Sequence, residues 1–213
     1  MYNKNDIEQQ VAEFLLQIKA IKLQPDNPFT WASGWKSPIY CDNRITLSHP
    51  TIRTYIRQKL TLVIQEEFGA IGCIAGVATA GIPQGALVAQ ELGLPFIYVR
   101  SKPKDHGTGS LIEGEVMPGK RIVVIEDLIS TGKSSLQAVD ALKAAGYEIA
   151  GLAAIFSYGF DVATENFKEA GCKFFTLSNY NALLKYAEEN NYISAADSEI
   201  LKEWRISPST WGQ

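Results

Sequence analysis

The sequence predicts an α/β fold, a five-stranded parallel sheet with helices on both faces. Three observations carry this expectation. Short apolar runs recur from residue 70 onward, at 71–77, 96–99, 122–125, 149–156 and 173–177. Helical patterns lie between them, at 83–92, at 134–145 before Gly146 and at 162–170 before Gly171. The runs are continuously apolar rather than alternating, as expected of strands buried on both faces, and strands that alternate with helices favour a parallel sheet with right-handed crossovers.

The flanking elements follow from periodicity and turn chemistry. Over 5–20, Ile7, Val11, Phe14, Leu15 and Ile18 repeat at helical spacing, and Asn5 with Glu8 resembles a capping box. The stretch 25–50 holds Pro25, Pro28, Pro38 and Pro50 among the aromatics Phe29, Trp31, Trp35 and Tyr40, and reads as extended strands and turns. A second helix is expected over 51–68, with Ile52, Tyr55, Ile56, Leu60, Val63 and Ile64 on one side and Gly69 as its stop. The segment 100–114 carries Gly107, Gly109 and Gly114 with little apolar content; its length suggests a mobile functional loop. Beyond 178, helices are expected over 182–189 and 195–204. No internal repeat or linker divides the chain, so 1–213 reads as one domain with a core of about 70–178.

Composition narrows the classes. The chain has 213 residues, 46% hydrophobic and 20% charged, which suits a globular domain with a sizeable core. Twenty Lys and Arg against 23 Asp and Glu give a net charge of −3, which disfavours a nucleic-acid binder that relies on a broad basic face. No apolar run approaches the ~20 residues of a membrane span, and residues 1–20 carry charges unlike a signal peptide. Cys41, Cys73 and Cys172 are odd in number and lack metal-ligand spacing, which points to reduced thiols in the cytoplasm. Two histidines, His49 and His106, are too few for a His-based metal site, so a metal would be Mg²⁺ held by carboxylates or by a substrate's own oxygens.

The most informative stretch runs from Arg121 to Ser135. An apolar strand, Ile122-Val123-Val124-Ile125, ends in Glu126-Asp127, and Leu128-Ile129-Ser130-Thr131-Gly132-Lys133-Ser134 then turns into a helix. Carboxyl ends of strands face the ligand crevice of an open parallel sheet, so both acids are expected at the substrate. The turn offers successive N–H groups and hydroxyls at a helix N-terminus, which is a phosphate cradle. Gly132-Lys133-Ser134 is not a Walker loop, because the position five before Gly132 is Asp127 rather than glycine. One phosphate in the turn with hydroxyls beside the acids describes a ribose 5-phosphate.

This motif resembles the ribose-phosphate signature of type I phosphoribosyltransferases, whose fold is a five-stranded parallel sheet under a hood; the resemblance implies a small hood here, formed by about 1–48 with the C-terminal helices. The resemblance implies that Glu126 and Asp127 hold the ribose hydroxyls of phosphoribosyl pyrophosphate, that residues 128–134 bind its phosphate, and that Asp127 has a catalytic role. Ala78-Thr79-Ala80-Gly81-Ile82-Pro83 resembles that family's pyrophosphate loop. Arg100-Ser101-Lys102-Pro103-Lys104-Asp105-His106-Gly107 resembles the catalytic loop of orotate phosphoribosyltransferases, in which the loop of one subunit of a homodimer serves its neighbour. Carried over by position, Arg100, Lys104 and His106 are pyrophosphate ligands and Lys104 the main catalytic candidate. Lys often follows the Arg directly in the family, whereas Ser101 stands here with Lys102 one later.

Ser33-Gly34-Trp35-Lys36-Ser37-Pro38-Ile39-Tyr40 resembles the signature that supplies the orotate pocket in those enzymes. Some members carry Lys immediately before the Ser-Gly, where this chain has Ala32, and some carry Arg just after the fourth core strand, where Ser157-Tyr158-Gly159 stands. Ser130 matches a position that touches orotate; Tyr40 falls in the signature, and Lys36 and Arg44 are the cations available to the orotate carboxylate. The implied partners are orotate and phosphoribosyl pyrophosphate, with Mg²⁺ and a second copy of the chain, and neither nucleic acid nor membrane. A phosphoribosyltransferase for a purine or another base, and a non-catalytic regulator that binds phosphoribosyl pyrophosphate, share the turn motif and stand as the alternatives.

Overall fold

The computed structural model describes residues 3–31, 33–102, 110–115 and 117–212. Helix α1 (Lys4–Gln17) leads into β1 (Ile21–Leu23), β2 (Phe29–Thr30), β3 (Lys36–Ser37) and β4 (Ile39–Cys41). β1 pairs with β4 and β2 with β3, both antiparallel, so the Pro- and aromatic-rich stretch forms two small ribbons. A 3-10 turn, Asn43–Ser48, precedes α2 (Pro50–Phe68). The core then alternates: β5 (Cys73–Val77), α3 (Gly81–Leu92), β6 (Phe96–Val99), β7 (Ile112–Glu113), β8 (Arg121–Ile129), α4 (Lys133–Ala144), β9 (Glu148–Ser157), α5 (Asp161–Glu169) and β10 (Phe174–Asn179). Helices α6 (Tyr180–Glu189) and α7 (Ala195–Ile206) close the chain.

The sheet order is β10-β9-β8-β5-β6-β7. The five apolar runs are its five parallel strands. A sixth strand, the two-residue β7, adds antiparallel to the β6 edge through Tyr98↔Glu113 and Val99↔Ile112. Ile112 and Glu113 carry no strand-length pattern; their pairing comes from the chain folding back on the β6 edge. Val123 and Ile125 of β8 enter the core beneath α1, α2 and α3, whereas Ile122 and Val124 pack beneath α4 and α5, so both faces are covered.

Two local expectations change. The cap of α1 is Asn3, whose side chain accepts from the Asn5 N–H, rather than Asn5 with Glu8. Either Asn can cap, and the helix begins where the earlier one satisfies an orphan N–H. β8 also runs to Ile129, because Glu126, Leu128 and Ile129 keep pairing with Ala154, Phe156 and Ser157 of β9. Glu126 and Asp127 therefore lie inside a strand rather than beyond its end.

The two chain termini meet at the hood. The buried indole of Trp204 on α7 donates from Nε1 to the Lys36 carbonyl at 3.1 Å, and Arg205 Nη1 donates to the Gly159 carbonyl at 2.9 Å. On α1, the Glu8 carbonyl accepts from Ser178 Oγ at 2.7 Å.

Candidate active site

The acids sit at the C-terminal part of the central strand, where alternation sends neighbouring side chains to opposite faces. Glu126 is 5% exposed on the α4 side, accepting from Ser135 Oγ at 3.3 Å and from the Asp127 N–H at 3.0 Å. Burial, and next the charge of Asp127, push its carboxyl well above the ordinary range. Asp127 is partly buried on the hood side, and burial raises its carboxyl too. The first turn of α3 presses on this strand: a Cβ on Gly81 would meet the Ile125 carbonyl and come within 3.3 Å of the Glu126 Cα, so only glycine permits that approach.

The turn after β8 is shaped by backbone geometry. Gly132 caps α4 at φ +79°, and a Cβ there would lie 2.7 Å from Phe167 Cε2, so glycine is required twice over. The Thr131 carbonyl accepts from Asn166 Nδ2 at 2.9 Å, and the Ile129 carbonyl from the Tyr158 N–H at 3.1 Å, which fixes both ends of the turn. Lys133 and Ser134 are exposed, and no side chain caps α4. The first-turn N–H groups of α4 are thus left to solvent or an anion, as a phosphate cradle requires.

Beside this turn, under the hood, lies a cavity of about 360 Å³. Thr30, Trp31, Tyr40 and Cys41 form its N-terminal wall, Leu128 and Ser130 come from the end of β8, and Tyr158 follows β9. Tyr40 and Ser130 stand where the sequence expects an acceptor base. Lys36 and Arg44 do not line it. Lys36 donates from Nζ to Thr30 Oγ1 at 2.8 Å. Arg44 is drawn away by Asp42, which it grips through Nε at 2.7 Å and Nη2 at 2.9 Å; the pair holds the Asp42 carboxyl below its usual range.

A buried amide joins this pocket to the acids. Asn43, 1% exposed, donates from Nδ2 to the Asp127 carbonyl at 2.7 Å and accepts at Oδ1 from the Cys41 thiol at 3.4 Å. The Cys41 thiol, its pKa pushed up by burial and then by Asp127 and Asp42, remains a donor. Sequence reasoning missed Asn43, Thr30, Cys41 and Tyr158. Asn43 follows the orotate-pocket signature, but only the folded chain places it on Asp127.

On the other flank, Val77, Ala78, Arg100, Ser101 and Ser134 border a cavity of about 520 Å³ against α4. The Ala78–Thr79 peptide is cis. Arg100 reaches Glu113 of β7 at 3.4 Å, and Lys102 is exposed. Lys104 and His106 lie outside the described residues, as does Ala32. Among the described residues, no group of three or more His, Cys, Asp or Glu side chains could hold a metal ion, and no helix is long and apolar enough to cross a membrane.

Residues 48–184 match the model of the phosphoribosyl transferase domain. The chain is 58% identical over 205 residues to the orotate phosphoribosyltransferase of Phocaeicola vulgatus, covering 96% of this chain and 97% of that one. It is 54% identical over 207 residues to the orotate phosphoribosyltransferase of Listeria monocytogenes, covering 97% and 99%. Among solved structures, orotate phosphoribosyltransferase from Aeropyrum pernix superposes with a TM-score of 0.75 at 27% identity, over 86% of this chain and 99% of that one. UMP synthase from Leishmania donovani superposes with a TM-score of 0.78 at 26% identity, over 93% of this chain and 42% of that larger one. An acid-bearing strand, a phosphate cradle and a neighbouring acceptor cavity, with these full-length likenesses, place the chain in the orotate phosphoribosyltransferase family.

Proposed function

We propose that the chain transfers the 5-phosphoribosyl group of phosphoribosyl pyrophosphate to orotate, giving orotidine 5′-monophosphate and pyrophosphate for UMP biosynthesis. The observation that carries this reading is the adjacency of the 129–134 turn to the cavity under the hood, with Ser130 belonging to both. The 5-phosphate sits on the N–H groups of the turn from Leu128 to Ser134, beside the Lys133 ammonium. The ribose hydroxyls meet Glu126 and Asp127, which puts C1 toward the cavity where orotate lies against Tyr40 and Ser130. Lys36 and Arg44 add positive potential outside the wall rather than direct contacts.

Charge separates as the C1–oxygen bond to pyrophosphate breaks, leaving an oxocarbenium-like ribose and a more anionic leaving group. Arg100, Lys104 and His106 stabilise that leaving group. In a homodimer they serve the neighbouring subunit's site; Arg100 itself pairs with Glu113 of β7 at 3.4 Å. Mg²⁺ would enter with the substrate, beside the carboxylates of Glu126 and Asp127, the hard oxygen donors at the ribose. Bound there, it would supply charge neutralisation for the leaving group. Three free cysteines suit the cytoplasm.

The test is orotate absorbance followed with the purified chain, with and without phosphoribosyl pyrophosphate and Mg²⁺. Orotate loss is expected only in the complete mixture. No loss there overturns the reading, and turnover of a purine base instead would redirect it.

A further inference from the structure

The cavity under the hood holds one polar group that nothing above uses. Tyr158 follows β9 directly, and its N–H continues the ladder to Ile129, which brings its side chain beside Ser130 in the cavity wall. The residue is 2% exposed. No described residue hydrogen-bonds its hydroxyl, and the hydroxyl is not among the sealed unpartnered atoms, which among the described side chains are Arg57 Nε, Thr61 Oγ1 and Gln84 Oε1. Tyr158 is one of the residues that line the cavity, so its unengaged hydroxyl belongs to a wall residue of that site.

The ring is held from several sides. It stacks on Phe160 at 5.6 Å and 19°, meets Phe156 edge-on at 5.8 Å and Trp204 edge-on at 5.8 Å, and lies 5.0 Å from Trp31. Such packing removes the freedom of the ring and aims the O–H before any ligand arrives. A hydroxyl that no neighbouring group engages keeps its donor free for an acceptor in the cavity. Burial keeps the phenol protonated and thus a donor.

We propose that Tyr158 is an acceptor-recognition residue, its hydroxyl donating a hydrogen bond to an oxygen of the orotate bound in this cavity. The inference rests on the proposed function and adds a specificity-determining contact to it. It assigns recognition of an oxygen-rich pyrimidine to a neutral donor where Arg44 is turned away and Lys36 donates to Thr30. Of the other lining residues, Trp31 and Leu128 offer apolar surface, Thr30 Oγ1 already accepts from Lys36 and the Cys41 thiol already donates to Asn43, which leaves Tyr158 to act beside Tyr40 and Ser130.

The test is Tyr158→Phe, which keeps the ring and its packing and deletes one oxygen. Initial rates are measured across orotate at saturating phosphoribosyl pyrophosphate and Mg²⁺, and across phosphoribosyl pyrophosphate at saturating orotate, alongside a thermal melt. The expected result is a fall of about 10- to 100-fold in kcat/KM for orotate, with KM for phosphoribosyl pyrophosphate changed less than about twofold. An orotate kcat/KM within about twofold of the parent overturns the inference and leaves the proposed function standing. Equal losses for the two substrates also overturn it, since that is the signature of a packing defect. No orotate turnover by the parent chain overturns both.

Discussion

The phosphate turn and the acceptor cavity are neighbours that share Ser130, yet they are built by opposite means. The turn is local: residues 129–134 are contiguous, their groups are largely backbone, and Gly132 sets their path through a left-handed φ and a close approach to Phe167. The cavity is tertiary. Its wall draws on Thr30, Trp31, Tyr40, Cys41, Leu128, Ser130 and Tyr158, and its aromatic backing includes Trp204 from the C-terminal helix. A phosphate is the same in every donor, so a local cradle can serve many acceptors. Selecting one base needs contacts gathered from distant segments, and those can vary without disturbing the cradle. Losses on the donor side should therefore appear in kcat or in the nucleotide, and losses on the acceptor side in orotate alone.

The largest departure should come from Lys104→Ala. The charge it meets grows only as pyrophosphate leaves, so kcat should fall by about 10²- to 10³-fold while the dissociation constant of phosphoribosyl pyrophosphate changes little. Single-turnover rates set beside equilibrium binding check this. Equal losses in both would make Lys104 an ordinary binding group and weaken the donor-side half of the contrast.

Glu126→Gln should cost less activity and reveal more about the strand. Loss of a charged acceptor for a ribose hydroxyl should lower kcat/KM by about 10- to 100-fold. Burial raises this carboxyl above its ordinary 4.5, so the folded chain takes up the proton more readily than the unfolded one. Its contribution to stability is thus greatest below pH 4.5 and is lost as pH rises from there through the raised value. The variant lacks that loss, so its gain in Tm over the parent should be larger at pH 8 than at pH 5. A Tm difference that does not change with pH would mean that the carboxylate is solvated rather than enclosed.

The same contrast explains how much could be read before folding. The five parallel strands were legible because each is a continuous apolar run, and the turn because acids, hydroxyls and glycine follow one another in sequence. Strand β7 was not, since Ile112 and Glu113 pair only because the chain returns to the β6 edge. The extra length of β8 was hidden as well, because Glu126 and Asp127 read as the end of an apolar run although their backbone continues the ladder to β9. In the acceptor site, Tyr40 and Ser130 were legible from local patterns. Tyr158 was visible only as an absent cation, and Asn43 gave no signal at all, because its bond to the Asp127 carbonyl spans 84 positions.

Arg44 provides the smallest and most discriminating effect on the acceptor side. Sequence alone makes it a natural partner for the orotate carboxylate, as one of few cations near the signature. In the folded chain its Nε and Nη2 are committed to Asp42 in a bidentate pair, and the side chain is 61% accessible. An exposed pair of this kind is worth less than about 1 kcal/mol, and its field at the cavity is screened by salt. Arg44→Ala should therefore lower kcat/KM for orotate by less than about threefold, and less still at high ionic strength. A loss of tenfold or more that persists in high salt would mean that the guanidinium leaves Asp42 to touch the acceptor. The carboxylate would then be read by a charge recruited on binding rather than by the preformed wall, and the cavity would share less of the rigidity that sets it apart from the turn.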